Sequence, residues 1–294
     1  MRLNDKLPGR VLMLGGGGLL GTAMIPALEG AGVEVLAPPS GELDVRDLGA
    51  LRARVAGTRP DLIFNTAAEA SVDRAEKDPD HAFQVNGLGA HNAALAAAEA
   101  EVPLVHISTD YVFSGVGRRA PYQEHDPTGV PPNHYGRSKL QGELLVRATW
   151  PRHFIVRVAA LFGPGRRDFV DWVLADASPD KPLTIVADRF VTPTWTEDLA
   201  RQLLALIETP YFGTYHATGH GPASWFELAR SALELSGRDP AGVVAVPDTE
   251  LPTPPRRAAY TCLDNHLLRM RGLDRMLPWR DALRRHLSGA RLEP

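Results

Sequence analysis

Tyr135 and Lys139 stand four residues apart in His134-Tyr135-Gly136-Arg137-Ser138-Lys139. On a helix that spacing places them one above the other on the same face. A phenol is a poor acid near neutrality, with a reference pKa of about 10. An ammonium one turn away favours the phenolate and would lower that value, making the phenol a usable proton donor and acceptor. Lysine is scarce here: Lys6, Lys77, Lys139 and Lys181 account for four of the 32 Lys plus Arg, which leaves 28 arginines. A planar fork would not substitute for a compact ammonium at this spot. An exposed helical turn satisfies the same spacing, so the surrounding elements must decide.

Those elements read as alternating strands and helices. Val11–Leu14 is a short apolar run of the kind a buried parallel strand shows. Gly15-Gly16-Gly17-Gly18-Leu19-Leu20-Gly21 follows, then a helical pattern through Leu28 with a Gly30/Gly32 stop. Both Gly16-x-Gly18-x-x-Gly21 and Gly15-x-x-Gly18-x-x-Gly21 lie within it. Such a turn lets backbone N–H groups and a helix N-terminus meet a pyrophosphate. Val33–Leu36 is the second strand. Ala37-Pro38-Pro39-Ser40 after it offers neither a carboxylate nor an arginine, so it does not separate NAD from NADP. A helix over Asp47–Val55 precedes the strand Asp61–Asn65, which ends in the small-residue turn Thr66-Ala67-Ala68. Alanine-rich helix from about Ala82 to Ala100 leads into the strand Leu104–Ile107. Ser108-Thr109-Asp110 then closes that strand, placed either to hold a substrate oxygen or simply to make a turn. Phe154–Val158 is a further strand. The alternation is that of a doubly wound parallel sheet, an α/β fold of Rossmann type.

Beyond Gly163 the texture changes, with loop at Gly163–Arg167 and a proline-rich joint at Pro252–Pro255. Amphipathic helices are expected near 196–208, 224–236 and 280–287. The expectation is therefore a dinucleotide-binding domain over 1–162 and a smaller, mainly substrate-binding domain over 163–294, some segments of which return to the sheet. Length, 44% apolar and 23% charged residues suit a globular protein with a real core. A net charge of −3 gives no footprint for nucleic acid. One cysteine, Cys262, excludes an internal disulfide framework and fits a reducing cytoplasm. Val11–Leu28 carries no charge and follows Arg2, Lys6 and Arg10, superficially like a signal or membrane segment. Its glycines and Pro26 are better explained by strand, turn and helix, so the chain reads as soluble.

Taken together, the glycine turn, Asp44-Val45, Asn65-Thr66-Ala67-Ala68, Ser108–Phe113 and Tyr135-Gly136-x-Ser138-Lys139 resemble the extended short-chain dehydrogenase/reductases. More narrowly they resemble the dTDP-4-dehydrorhamnose reductase family. Thr192-Pro193-Thr194, Gly213–His216, Ser224–Glu227 and Pro255-Arg256 continue the likeness to the end of the chain. The resemblance implies NADPH, with NADH as the alternative, and a nucleotide-linked 4-keto-6-deoxy sugar as substrate. It implies Tyr135 as proton donor to the C4 oxygen, Lys139 on the nicotinamide ribose, and Thr109 on the C4 carbonyl. Gly15, Gly18, Leu19, Leu20 and Gly21 would line the pyrophosphate, Asp44 and Val45 the adenine, Ala67 and Ala68 the cofactor's middle, and Asp110 the sugar. A homodimer is the candidate assembly.

Departures are visible. Glu69-Ala70 stands where the family commonly has a bulky residue and a threonine. Val158-Ala159-Ala160-Leu161 follows Arg157 where the family often places a tryptophan, which removes a large apolar surface from the sugar. Arg257 replaces an expected proline. Ala67-Ala68-Glu69 also resembles the non-catalytic, NADP-binding regulatory subunit of methionine adenosyltransferase, and an epimerase is a further alternative. Tyr111 after Asp110 disfavours a dehydratase, which carries an acidic pair there. His216 and His220 lack a carboxylate in a ligand pattern, so no metal site is expected.

Overall fold

The computed structural model describes residues 7–250 and 256–289. The proline-rich joint at Pro252–Pro255 lies outside them, as do Arg2 and Lys6. Six parallel strands form the central sheet: β1 (Arg10–Leu14), β2 (Glu34–Leu36), β3 (Leu62–Asn65), β4 (Leu104–Thr109), β5 (His153–Val158) and β6 (Gly213–His216). Their order is β6-β5-β4-β3-β1-β2, so β1 lies between β2 and β3. The winding direction reverses between β1 and β3, and the crevice outside the carboxyl ends of those two strands is where such sheets bind ligands.

The eight longest helices are α1 (Leu19–Gly30), α2 (Leu48–Thr58), α3 (Gly89–Glu99), α4 (His134–Thr149), α5 (Phe169–Asp176), α6 (Thr196–Ile207), α7 (Trp225–Leu235) and α8 (Trp279–Leu287). Strand β1 shows how the layers form. Val11 and Met13 pack into one core with Leu20 and Met24 of α1 and Leu199 and Leu203 of α6. Leu12 and Leu14 point the other way, into a core with Leu51 of α2, Ala93 and Ala97 of α3 and Val146 of α4. A strand covered on both faces has no polar side, which explains its continuous apolar run. Beyond residue 162, α5, α7 and α8 pack around Phe162 and Trp195 as a separate core. Strand β6 and helix α6, also from beyond residue 162, belong instead to the sheet and its covering layer.

The alanine-rich stretch departs from the continuous helix its composition suggests. A short turn of helix, Pro79–Ala82, runs into a π-helical turn over Phe83–Leu88 before α3 begins. Helix Val72–Lys77 and α5 also have no counterpart in the sequence reading. Among the described residues no helix is long and apolar enough to cross a membrane.

Candidate active site

Helix α4 is held at its start by Asn133, whose Oδ1 accepts from the Gly136 N–H at 2.8 Å and whose Nδ2 donates to the Arg256 carbonyl at 3.1 Å. This is an N-cap doing two tasks, fixing the helix and tying it to the C-terminal segment. The helix also sits very close to its neighbours. A Cβ on Gly136 would lie 2.2 Å from the Tyr111 carbonyl oxygen, and one on Gly142 would lie 2.3 Å from that of Asn86. Tyr135 therefore stands in the first turn, half-buried, with its ring 5.7 Å from that of Tyr111 and edge-on to it. Lys139 is 2% exposed and its Nζ donates to the Ile107 carbonyl at 2.6 Å. Thr109, at the carboxyl end of β4, donates to Asp110 Oδ1 at 3.0 Å, accepts from the Tyr111 N–H at 3.2 Å, and lies beside the Tyr135 phenol. The fold thus brings Thr109, Asp110, Tyr135 and Lys139 together.

Their charges are set mainly by burial. Burial pushes the Tyr135 phenol up to about 12; the neighbouring Thr109 hydroxyl opposes the rise, and the nearby Asp110 and Glu69 carboxylates add to it. This reverses the expectation that Lys139 makes the phenol more acidic. A buried anion is costly, and the ammonium is spent on a backbone carbonyl of β4 rather than on the phenol. Burial also brings Lys139 down to about 8, against an upward pull from Glu143. Asp110 rises to about 6 through burial, opposed by the neighbouring hydroxyls of Thr261 and Thr109, the latter donating to its Oδ1, and its Oδ2 is buried without a partner.

The glycine turn lies at the reversal between β1 and β3. Gly15 has φ +79°, and a Cβ on it would lie 2.5 Å from the Ala67 backbone nitrogen, so only glycine lets the ends of β1 and β3 approach so closely. The Gly18 N–H closes the turn on the Gly15 carbonyl at 3.0 Å. Helix α1 then starts with Gly18 as N-cap, with no side-chain cap and no acidic residue in its first turn. The N–H groups of Leu19, Leu20 and Gly21 are left for an anion, so the cradle fits a dinucleotide diphosphate. Ala67 is half-buried and Ala68 exposed beside it. Val45 is buried against Gly89, and Asp44 is partly exposed, its carboxyl held low by the Arg46 guanidinium 2.6 Å away.

Several residues the sequence reading passed over connect these parts. In the π-helical turn, Asn86 donates to the Glu69 carbonyl at 3.0 Å and to Ser138 Oγ at 2.9 Å, while its Oδ1 accepts from the Glu69 N–H. Ser138 Oγ in turn donates to the Tyr135 carbonyl at 2.8 Å. A continuous path thus runs from the turn after β3 to the phenol's helix. π-turns often occur at functional sites, but nothing in the alanine-rich pattern marks one. Glu69 is engaged by Arg74 at 2.9 Å. His216 and His220 do not act as a pair: the first is buried against the Tyr122 and Asp264 carbonyls, the second faces Asp274 at 3.4 Å. Among the described residues no cluster of three or more His, Cys, Asp or Glu could hold a metal ion.

Comparison with known proteins points one way. The profile of the RmlD substrate binding domain family matches residues 9–291. The spore coat polysaccharide biosynthesis protein SpsK of Bacillus subtilis is 37% identical over 95% of this chain and 97% of its own length. The dTDP-4-dehydrorhamnose reductase of Mycolicibacterium smegmatis is 38% identical over 95% of this chain and 85% of its own. Among solved structures, the dTDP-4-dehydrorhamnose reductase of Bacillus anthracis in complex with NADP superposes with a TM-score of 0.91 at 32% identity, covering 96% of this chain and all of that one.

Proposed function

The chain belongs to the RmlD substrate binding domain family, and from that premise we propose that it is an NADPH-dependent reductase of a sugar-nucleotide ketone, with dTDP-4-dehydrorhamnose as its substrate. The observation that carries the reading is the convergence of Thr109, Tyr135 and Lys139 beside the β1–β3 crevice that bears the glycine turn.

In this reading the diphosphate rests on Gly15, Gly18, Leu19, Leu20 and Gly21, the adenine on Asp44 and Val45, the cofactor's middle on Ala67 and Ala68, and its nicotinamide end on Tyr135 and Lys139. Bound NADPH supplies a hydride to the sugar's C4 carbon. Tyr135 gives its phenolic proton to the C4 oxygen. The raised pKa suits that step: the phenol keeps its proton until the oxygen gains charge, and an alkoxide is a stronger base than the phenolate left behind. Thr109 donates a hydrogen bond to the same oxygen, and the unpartnered Asp110 Oδ2 accepts from a sugar hydroxyl. Residues 1–162 chiefly bind the cofactor and 163–294 chiefly the sugar nucleotide. The buried lone Cys262 supports a reducing cytoplasm, and the likeness to dTDP-4-dehydrorhamnose reductases supports a place in dTDP-rhamnose formation. Light scattering tests the candidate homodimer.

The deciding experiment follows NADPH oxidation with dTDP-4-keto-6-deoxyhexose, wild type against Tyr135→Phe. Wild-type turnover is expected, with kcat lowered about 10²–10⁴-fold in the variant. NADPH binding with no oxidation of any nucleotide keto-sugar would overturn the reductase in favour of a regulatory protein. Turnover surviving in Tyr135→Phe would remove the phenol's role.

A further inference from the structure

The glycine turn that fits a dinucleotide diphosphate brings no positive side chain to it. Val11–Leu28, which spans the turn and most of α1, carries no charge at all. Of the cations nearer the crevice, Lys139 is spent on the Ile107 carbonyl and Arg46 on Asp44. A loop from the second half of the chain reaches the same place. Thr22 bonds back onto the Gly18 carbonyl through both its N–H and its Oγ1, each at 3.0 Å, so its side chain leans toward the start of α1. Gly165 rests on that side chain: a Cβ there would lie 2.7 Å from Thr22 Cγ2 and 2.9 Å from its Oγ1, and its φ of +112° also calls for glycine.

The loop is held there from its base. Gly163 donates to Asp168 Oδ2 at 2.7 Å, while Asp168 Oδ1 caps α5 through the Val170 and Asp171 N–H groups. Gly163 also sits directly against Thr196, the first residue of α6, with no room for a Cβ. Two arginines follow, and they differ. Arg167 is paired with Asp176 of α5 at 2.8 Å. Arg166, next to Gly165, is exposed and has no hydrogen-bond or ion-pair partner among the described residues. We propose that Arg166 is a cofactor-binding residue, its guanidinium supplying the diphosphate with the positive charge that the glycine turn lacks. This rests on the reading that the turn holds the diphosphate of NADPH. Thr22 stands three residues beyond Leu19, a rise of about 4.5 Å, which a long guanidinium arm crosses. The planar fork takes two phosphate oxygens at once, where an ammonium acts as a point charge. The 2′-phosphate that separates NADPH from NADH belongs to the adenosine ribose, near the end of β2 rather than the start of α1.

Fluorescence titration gives Kd for NADPH and for NADH, at low and high salt, in wild type, Arg166→Gln, Arg166→Lys and Arg167→Gln. Arg166→Gln should weaken both coenzymes about tenfold and flatten the salt dependence of Kd. Arg166→Lys should keep part of the affinity, since it restores the charge without the fork. Arg167→Gln should stay within a factor of about two of wild type. Both side chains are exposed, so urea midpoints should agree across the set. Unchanged Kd for both coenzymes in Arg166→Gln would overturn the proposal. A loss for NADPH alone would overturn it too, by placing the guanidinium on the 2′-phosphate. Equal losses in Arg166→Gln and Arg167→Gln would reduce the effect to general surface charge, and the assignment would fall. A wild type that binds both coenzymes and loses them in Arg166→Gln, yet reduces no keto-sugar, would sink the reductase reading alone.

Discussion

The two ends of the crevice are built on opposite plans. At the cofactor end the glycine turn uses backbone only: N–H groups at an uncapped helix start, and a close approach of two strands that a Cβ would block. At the chemical end, α4 lies on β4 through buried side chains that carry charge or could, namely Lys139, Glu143, Arg157 and Asp110. A backbone cradle binds an anion at little cost to the fold, because its donors are leftovers of helix geometry. Buried ionisable groups work against the fold and persist where their chemistry is needed. Substitutions in the two regions should therefore differ in sign as well as size.

The largest effect is expected from Gly15→Ala. The residue must hold φ +79° and would push a methyl to 2.5 Å from Ala67 N and 2.6 Å from Ala67 Cα, both rigid backbone atoms. Left-handed strain of about 1–2 kcal/mol and overpacking of about 1–3 kcal/mol together predict roughly 3 kcal/mol of destabilisation, with NADPH binding lost alongside. Urea unfolding measures the first and fluorescence titration the second. A variant of wild-type stability would mean that the β1 and β3 ends can part freely.

Lys139→Met should act the other way. Burial lowers the lysine from 10.5 to about 8, so the folded protein carries the cost of an enclosed cation at every pH below about 8, and that cost disappears above 10.5. Methionine removes it, while the lost bond to the Ile107 carbonyl returns part of the gain. A net increase of about 2 kcal/mol at pH 7 is expected, shrinking toward zero by pH 10–11, with activity abolished. Destabilisation at pH 7 would show that the ammonium supports the fold and would erase the contrast between the two ends.

Asp110→Asn sharpens the same contrast on a smaller scale. The carboxyl rises from 3.8 to about 6, so its protonated form stabilises the fold fully below pH 3.8, and that contribution is lost as the pH rises through 6. Asparagine does not titrate. The variant should gain on wild type by about 1–2 kcal/mol between pH 4 and pH 8. A pH-independent difference in urea midpoints would indicate that Asp110 is not enclosed as described.

The two plans also explain what could be read from the chain before folding. The glycine turn, the alternating strands and the Tyr135–Lys139 spacing are local patterns, legible because glycine content and side-chain periodicity follow directly from backbone geometry. Even Pro26 and the charge-free run Val11–Leu28 resolved correctly into strand, turn and helix. The seam at the chemical end is not local. Glu143 meets Arg157 and Ser108 only because α4 settles on β4 and β5 in one register, and no spacing in the sequence announces it. The π-turn that buries Asn86 was hidden inside an ordinary alanine-rich pattern. The direction of the Tyr135 shift was missed for the same reason: spacing supplies the neighbouring ammonium, but burial and the Ile107 carbonyl are tertiary facts.

The smallest effect belongs two residues from the largest. Gly17 is exposed, has no positive φ, and a Cβ on it would meet nothing within 4 Å. It occupies a variable position in the Gly15-x-x-Gly18-x-x-Gly21 pattern, away from the backbone donors at the start of α1. Gly17→Ala should mainly restrict the unfolded chain, leaving stability equal or higher by about 0.5 kcal/mol, with NADPH affinity within a factor of about two. Set beside Gly15→Ala, it separates glycine needed for strand approach from glycine merely present in a turn. A tenfold loss of NADPH affinity at unchanged stability would place the diphosphate over Gly17 and shift the cradle one residue toward the loop's tip.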